Sequence, residues 1–493
     1  MRRSDQAGPR WNVTAGLLFA GAVSAILILQ VADSSKAAVS LSLMTLLLVG
    51  FAAYWRFHKR RLDPLGLFCA AFALYDGLML LRLTLVSSEK NLAYPTTFSD
   101  QTYANAGVLT VLAAATILIT AFFWEAVIAP QFDQACAKSA WGKSRVMPEI
   151  RATGAHGWFW AGFLSFAAGV SLFFAEYAQL GGYLATLAME RGERFAAVND
   201  PSLLSYPYGA FLIPGLAAMF LAAYGGGPRW QRIAACSCAA AWFGLVILQG
   251  DRRPLLQAAF AIVAVLSVVR PALLKVKMST WILVGLGYLF FSTFGNVRSQ
   301  IALIASGQAS ASEALAEASD EWSEEWLAPE NTEFAGPFFS LLSATSGNAQ
   351  LLYGKSYYDS FLFVVPKALY PGRKPELLTQ QFAEQVHEGG GTVYGWGYNP
   401  VAEAFLNFGV AGVVLAFVLW TLFFLVLGSL KQQGTWGVLV FAALFAEAVN
   451  ANRIDFRVVY CESVYLILGV IAVVGGGRLL SSRVFGYARS VKF

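Results

Sequence analysis

Charge is scarce in this chain, and that scarcity excludes an ordinary soluble domain. Of its 493 residues, 13% are charged and 57% are hydrophobic, whereas a soluble protein has about 25% charged residues. The net charge of +5 arises mostly from short basic segments between apolar runs. A basic surface for nucleic acid is therefore not indicated, and we expect no nucleic-acid partner.

Motifs for nucleotide or metal chemistry are also missing. The sequence has no Walker loop, no dinucleotide-binding fingerprint and no Asp-x-Asp pair. Its five cysteines follow neither a metal-binding nor a disulfide spacing. We therefore expect no metal and no cofactor. The energy for any reaction would come from the substrate itself or from an ion gradient.

Long apolar runs are what the chain does contain. Each is roughly 20 residues long, enough to cross a hydrocarbon core about 30 Å thick. The sequence predicts an all-α polytopic membrane protein in which residues 1–493 form a single integral membrane domain. About twelve spans are expected, at 12–32, 37–55, 64–86, 106–128, 157–178, 206–224, 230–248, 254–270, 280–297, 401–429, 435–450 and 460–477.

Loop charge predicts the orientation of these spans. With the N-terminus inside, 21 of the 35 Lys and Arg residues fall in inner segments, as the positive-inside rule requires. The expected topology is N-in and C-in, in the bacterial inner membrane. The outer segment 299–400, between the ninth and tenth spans, is far longer than an ordinary connection, and such a loop is usually functional. It holds four Lys or Arg against twelve Asp or Glu.

Arginines on the outer side oppose the insertion bias and therefore need a reason. Paired guanidinium groups suit phosphate oxygens, so the sequence predicts an anionic ligand such as a lipid-linked diphosphate. The candidates for binding it are Arg252, Arg253, Arg298, Arg373, Arg453 and Arg457.

Most of these arginines also have a purely structural explanation. Arg252 and Arg253 lie in a tight turn, where one would pair with Asp251 and the other extend to the interface. Arg298 would complement a helix C-terminus. Arg453 and Arg457 are four apart and on a helix would share a face, and the structural alternative is an ordinary outer loop with an internal ion pair.

Two outer residues are candidates for acid–base catalysis. Glu403 follows Asn399-Pro400 in the first turns of the tenth span, and an ionisable residue there is a functional candidate. It would act as general base on a sugar hydroxyl, or else serve as a helix-capping acid or salt-bridge partner. His387 precedes three glycines and is the other candidate, or a solvent-exposed loop residue.

Three outer segments contain motifs that occur together in one enzyme family. Tyr353–Tyr357 followed by Val365–Pro375 resembles a P-R-x-L-W-P-x-K-P region. Asn399–Gly412 resembles an S-P-x-x-E-x-Y-x-N-F-G-x-x-G helix, and Gly250–Arg253 resembles a G-x-R turn. Together these segments resemble bacterial O-antigen and exopolysaccharide repeat-unit polymerases of the Wzy type. The chain departs from these patterns at Lys367, Tyr370 and Asn399.

The resemblance implies a fold similar to lipid-dependent glycosyltransferases of the GT-C class. It implies a metal-independent enzyme that works at the periplasmic face. Such an enzyme transfers a growing glycan from undecaprenyl diphosphate onto a lipid-linked repeat unit, beside a flippase and a chain-length regulator. Two other functions stay open: an O-antigen ligase, for which His387 would matter, and a transporter or flippase of lipid-linked sugars.

Overall fold

The computed structural model is helical wherever it describes the chain. It describes residues 34–59, 62–86, 98–129, 155–187, 206–249, 252–273, 334–347, 350–365, 377–386 and 397–490, with a few isolated positions between them. No β-strand occurs in these ranges. The predicted all-α class is therefore confirmed for this part of the protein.

The α-helices follow one another as α1 (Ser34–Lys59), α2 (Pro64–Phe72), α3 (Met79–Val86), α4 (Asp100–Phe123), α5 (Ala155–Ala178), α6 (Tyr183–Leu187), α7 (Tyr208–Gly225), α8 (Arg229–Gln249), α9 (Arg252–Val269), α10 (Ala335–Thr345), α11 (Lys355–Val364), α12 (Leu378–Val386), α13 (Pro400–Leu430), α14 (Gly434–Leu444), α15 (Glu447–Asn450) and α16 (Phe456–Ser490). Two π-helical stretches join this series: Ala73–Leu78 links α2 to α3, and Trp124–Ile128 continues α4.

Seven helices in the described ranges are long and apolar enough to cross a membrane. They cover Pro64–Leu83, Asp100–Ile128, Ala155–Ala178, Tyr208–Gly225, Arg229–Gln249, Pro400–Leu430 and Phe456–Ser481. Three shorter apolar helices, Ala37–Ala53, Arg253–Val269 and Gly434–Asn450, lie at three more of the predicted spans. The predicted spans 12–32 and 280–297 lie outside the described residues.

Charged side chains of predicted inner segments contact each other at one end of the bundle. Arg56, close to the end of α1, contacts Asp63 and donates a 2.6 Å hydrogen bond to Glu125. Lys431 follows α13 and donates to the Leu62 carbonyl at 3.3 Å. Glu125, an acid inside an apolar run, is thus paired internally.

Predicted outer segments meet at the opposite end. The Tyr398 amide, just before α13, donates to the Arg453 carbonyl at 3.0 Å, so segment 299–400 contacts the predicted outer turn between α15 and α16. The Tyr183 hydroxyl of α6 also donates to the Leu245 carbonyl near the end of α8 at 2.6 Å. Segments that the charge rule places on the same side are therefore in contact with each other.

Helix α13 is anchored to α2 by aromatic packing. Phe68 lies 4.9 Å from Phe424 between ring centroids, and Phe72 meets Phe417 edge-on at 5.4 Å. All four rings are fully buried. Such aromatic pairs add roughly 0.5–1.5 kcal/mol each beyond the area that they bury. The packing fixes the part of α13 around Phe417 and Phe424 against α2.

The upper segment of α13, Pro400–Asn407, is a separate short helix. Phe408 and Gly409 leave the helical region, and Gly409 takes a φ of +63°, a conformation that glycine adopts without a steric penalty. The Leu406 carbonyl, just before the break, accepts the Leu352 amide at 2.7 Å. Irregular backbone at membrane depth needs partners of this kind from the protein itself. The break thus presents Pro400–Asn407 to the outer segment.

A substitution at Gly412 tests the close contact across this break. A Cβ there would collide with the Ala404 carbonyl oxygen and lie 3.0 Å from Phe408 Cβ. We expect Gly412→Ala to cost about 1–3 kcal/mol of stability and to lower the thermal unfolding midpoint in detergent. Gly50→Ala is the control, because a Cβ at Gly50 meets nothing within 4 Å. Equal midpoints for the two variants would contradict the contact.

Candidate functional site

The start of α13 is fixed by a cap and a buried acid. The Asn399 side-chain oxygen accepts the amides of Val401 at 2.8 Å and Ala402 at 3.4 Å, while Pro400 occupies the first turn, where its missing N–H costs nothing. The Asn399 side-chain amide donates to Asp76, which the π-helical stretch presents to it. Asp76, an acid inside a predicted span, is therefore paired internally.

Glu403 lies one turn into this helix with its carboxylate fully engaged. One carboxylate oxygen accepts the Ser356 hydroxyl of α11 at 2.7 Å, and the other accepts the Phe456 amide, at the start of α16, at 2.8 Å. The side chain is 2% exposed. An ionised group buried to this degree requires such hydrogen bonds. Glu403 consequently ties together three segments that are far apart in the sequence.

Asn407 strengthens the tie between α11 and α13. Its side-chain amide donates to the Ser356 hydroxyl at 2.7 Å and to the Glu403 carbonyl at 2.8 Å. The Ser356 amide donates to the Asn407 side-chain oxygen at 3.3 Å. Ser356 is thus held on both sides and aims its hydroxyl proton at Glu403.

Asp455 links the turn before α16 to the start of α12. It accepts hydrogen bonds from the Thr379 hydroxyl and from the Thr379 amide at 3.3 Å. Burial raises the pKa of the Asp455 carboxyl above its ordinary value, and the Thr379 hydrogen bonds and the Arg457 charge oppose that rise. Through these hydrogen bonds Asp455 joins the turn before α16 to the start of α12.

Arg457, in the first turn of α16, is buried without matching acceptors. It is 2% exposed, and its nearest charge partner in the described ranges is Asp359 of α11, whose carboxylate lies 3.9 Å from Nη1. That separation is an ion pair and too long for a hydrogen bond. Neither Nε nor Nη1 has a hydrogen-bond acceptor among the described residues. Buried donors left in this state are costly.

Arg253 belongs to a second polar chain between α9 and α16. It forms an ion pair with Glu462, which accepts the Gln257 side-chain amide at 2.9 Å. The same amide donates at 3.2 Å to Glu447, a fully buried acid at the start of α15, and the Asn450 side chain donates to Glu447 at 3.3 Å. Glu462 is thus a carboxylate partner of Arg253, and the Asp251 pairing that the sequence suggested for one arginine of this turn lies outside the described residues.

The structure brings together three of the predicted site residues along one helix. Glu403 contacts the first residue of α16, Arg457 lies in its first turn, and Arg253 contacts Glu462 in its second turn. Arg453 lies in the turn before α16. The expectation that Arg453 and Arg457 share a helix face is therefore wrong, because α16 begins between them at Phe456.

Four other predicted site residues lie wholly or partly outside the described residues. Arg298, Arg373 and His387 lie outside the described residues. Arg252 begins α9, and its side chain is outside the described part of the structure. Across the described ranges, no group of three or more His, Cys, Asp or Glu side chains is arranged to hold a metal ion.

Several polar residues of these networks were not singled out from the sequence. Ser356 and Asn407 stand within segments that carry the family resemblance, but neither residue type by itself indicates a site. Glu447 ends an apolar run, and an ionisable residue in that position indicates function. Asp359, Gln257 and Glu462 carry no such local indication, because only their long-range contacts make them notable.

No family model, no curated protein and no solved structure matches this chain.

Ser356→Ala tests whether Ser356 and Glu403 depend on each other. The change leaves a buried carboxylate oxygen without its hydroxyl donor and removes one of the two acceptors of the Asn407 side-chain amide, which costs roughly 1–3 kcal/mol. We expect a lower thermal midpoint in detergent. Ser429→Ala is the matched control, since that exposed hydroxyl bonds only to the Val426 carbonyl of its own helix. An unchanged midpoint for Ser356→Ala would show that the pair is not formed.

Proposed function

We propose that this protein is a membrane glycosyltransferase that polymerises lipid-linked repeat units, as the Wzy-type polymerases do. One observation carries the proposal. Parts of two segments that carry the resemblance, Tyr353–Tyr357 and Asn399–Gly412, meet around Glu403 together with the start of α16. Distant, individually degenerate motifs that converge on one buried carboxylate are what a shared active site requires.

Glu403 is the general base in this proposal. The Ser356 hydroxyl donates to Glu403 at 2.7 Å, and an acceptor sugar hydroxyl would make the same hydrogen bond once it displaced Ser356. The carboxylate then takes the hydroxyl proton while the oxygen attacks the anomeric carbon of the donor glycan. The bond from that carbon to the diphosphate oxygen breaks, so the attack inverts the anomeric centre. His387 is the alternative base.

Arginines stabilise the departing diphosphate in this proposal. Arg253 stands in the first turn of α9, where the helix N-terminus also favours an anion. Glu462, which pairs with Arg253, also accepts the Gln257 side-chain amide at 2.9 Å. It therefore keeps a hydrogen bond when the diphosphate replaces it at Arg253. Arg252 and Arg298 are the other predicted diphosphate-binding residues, with Arg373, Arg453 and Arg457 as the predicted helpers. Fixed cations of this kind stabilise the charge that develops on a leaving group.

The reaction would take place at the periplasmic face of the bacterial inner membrane, in an N-in and C-in topology. Both substrates are oligosaccharides linked to undecaprenyl diphosphate, and the energy comes from cleaving the diphosphate linkage. Neither a cofactor nor a metal takes part. A flippase would deliver the repeat units, and a chain-length regulator would be a further partner.

The interruption of α13 favours a second candidate, a transporter or flippase of lipid-linked sugars. Discontinuous helices and buried acids mark the substrate sites of many transporters, and this chain has the break at Gly409 and the buried Glu447. Uptake of lipid-linked sugar into sealed vesicles, with no polymer formed, would establish that function instead.

Deletion of the gene separates polymerase from ligase. Without a polymerase, the lipopolysaccharide core still receives a single repeat unit, because transfer to the core is intact. We expect gel electrophoresis of the deletion strain to show core plus one unit and no ladder. Bare core would indicate an O-antigen ligase. A complete ladder, with exopolysaccharide also unchanged, would contradict a role in polymerisation.

Glu403→Gln tests the assignment of the base. Glutamine keeps the size of the side chain and can still accept one hydrogen bond, but it cannot take a proton from the acceptor. We expect polymer formation to fall by about 100-fold or more in proteoliposomes that contain lipid-linked repeat units. Asp100→Asn, at an exposed acid in the first turn of α4, serves as the control. If folded Glu403→Gln protein makes polymer at the wild-type rate, Glu403 is not the base.

A further inference from the structure

The unfilled donors of Arg457 indicate a ligand. Its guanidinium is buried in the first turn of α16, and Nε and Nη1 have no hydrogen-bond acceptor in the described ranges. The Asp359 carboxylate, at 3.9 Å from Nη1, balances the charge without satisfying the N–H groups. A buried arginine is stable only when its remaining donors find acceptors. Some further acceptor therefore belongs between α11 and α16.

The charges around Arg457 identify what kind of acceptor this is. Asp359 is its ion-pair partner, and Glu403 and Asp455 lie close enough for their charges to interact with it. Asp359 already balances the guanidinium charge, and Glu403 and Asp455 add negative charge when they are ionised, so a second anion is disfavoured in this buried site. A diphosphate therefore fits poorly here. The ligand should be neutral and should both accept and donate hydrogen bonds.

A sugar hydroxyl has this combination of properties. Its oxygen accepts a hydrogen bond from Arg457 Nη1 while its O–H group donates one to the Asp359 carboxylate. The hydroxyl thus bridges two groups that are too far apart to bond directly. The neighbouring rings add an apolar wall: Phe456 meets Tyr357 edge-on at 5.0 Å and stacks on Tyr460 at 5.8 Å. Sites for small polar ligands combine a few aimed polar groups with aromatic surface in this way.

We propose that Arg457 and Asp359 form the subsite for the acceptor sugar, with Glu403 directed at its reacting hydroxyl. The inference rests on the polymerase function proposed above and refines it. Arg457 then recognises the acceptor, and the diphosphate of the donor belongs to Arg253, whose carboxylate partner Glu462 lies five residues further along α16. Residues of α16 would thus take part in both subsites.

Two probes separate these roles in the purified full-length protein. One is the free repeat-unit oligosaccharide, without lipid or diphosphate, and the other is inorganic pyrophosphate. We expect Arg457→Met with Asp359→Asn to weaken oligosaccharide binding by about 10-fold or more, since hydrogen bonds to charged groups are lost, and to leave pyrophosphate binding unchanged. We expect Arg253→Met to weaken pyrophosphate binding and to leave oligosaccharide binding unchanged. Calorimetric titration measures both affinities.

Stability distinguishes a binding role from a structural one. The double change at Arg457 and Asp359 removes an imperfectly bonded buried pair, so the thermal midpoint should hold or rise. A fall in the midpoint together with equal loss of both ligands would mean a structural ion pair and overturn the proposal. If the double variant lost pyrophosphate binding but kept oligosaccharide binding, the proposal would also be overturned. Arg457→Lys keeps the charge but lacks the planar fork, and we expect it to weaken oligosaccharide binding in a folded protein even if the double variant fails to fold.

The polymerase assay keeps the two proposals distinct. If wild-type protein makes polymer but the Arg457 variants bind the oligosaccharide normally, only the acceptor subsite is refuted. If the wild-type protein makes no polymer and binds neither probe, both proposals fail.

Discussion

A buried carboxylate has to be hydrogen-bonded, and the end of the helix bundle where α11, α13 and α16 meet is arranged around that requirement at Glu403. Water cannot solvate the group, so its oxygens take the Ser356 hydroxyl and the Phe456 amide. These donors lie 47 and 53 residues away in the sequence. Satisfying one side chain therefore draws α11 and the start of α16 onto α13. The position of Arg457, one residue after Phe456, follows from the same contact.

The interruption of α13 makes this arrangement possible. A continuous helix would have to carry Pro400–Asn407 along the axis that the aromatic packing against α2 imposes. The break at Phe408 and Gly409 gives the upper segment its own direction, and the Leu352 amide bonds to the Leu406 carbonyl beside it. Asn399 then caps the upper segment and reaches Asp76 in the π-helical stretch. The break in α13 and the π-helical stretch Ala73–Leu78 therefore both help to position the start of α13.

Hydropathy predicted the helices well, and local spacing predicted the site less well. Ten of the predicted spans coincide with helices, because a long apolar run needs internal backbone hydrogen bonds wherever it lies in a membrane. Glu403 stood out as an acid within such a run. The spacing of Arg453 and Arg457 was misleading, since four residues share a face only within one helix. Nothing near Arg253 in the sequence indicates Glu462, which is 209 residues away.

The sequence alone determined the class of the protein and the segments expected on each side, because apolar length and the distribution of Lys and Arg are properties of the chain itself. It also identified outer arginines and an acid that need an explanation. Only the tertiary structure decided which charges meet. Arg253 faces Glu462, Arg457 faces Asp359 across 3.9 Å, and Glu403 is enclosed by its donors. Coulombic and hydrogen-bonding energies depend on separations in space, which helix packing establishes and sequence separation does not.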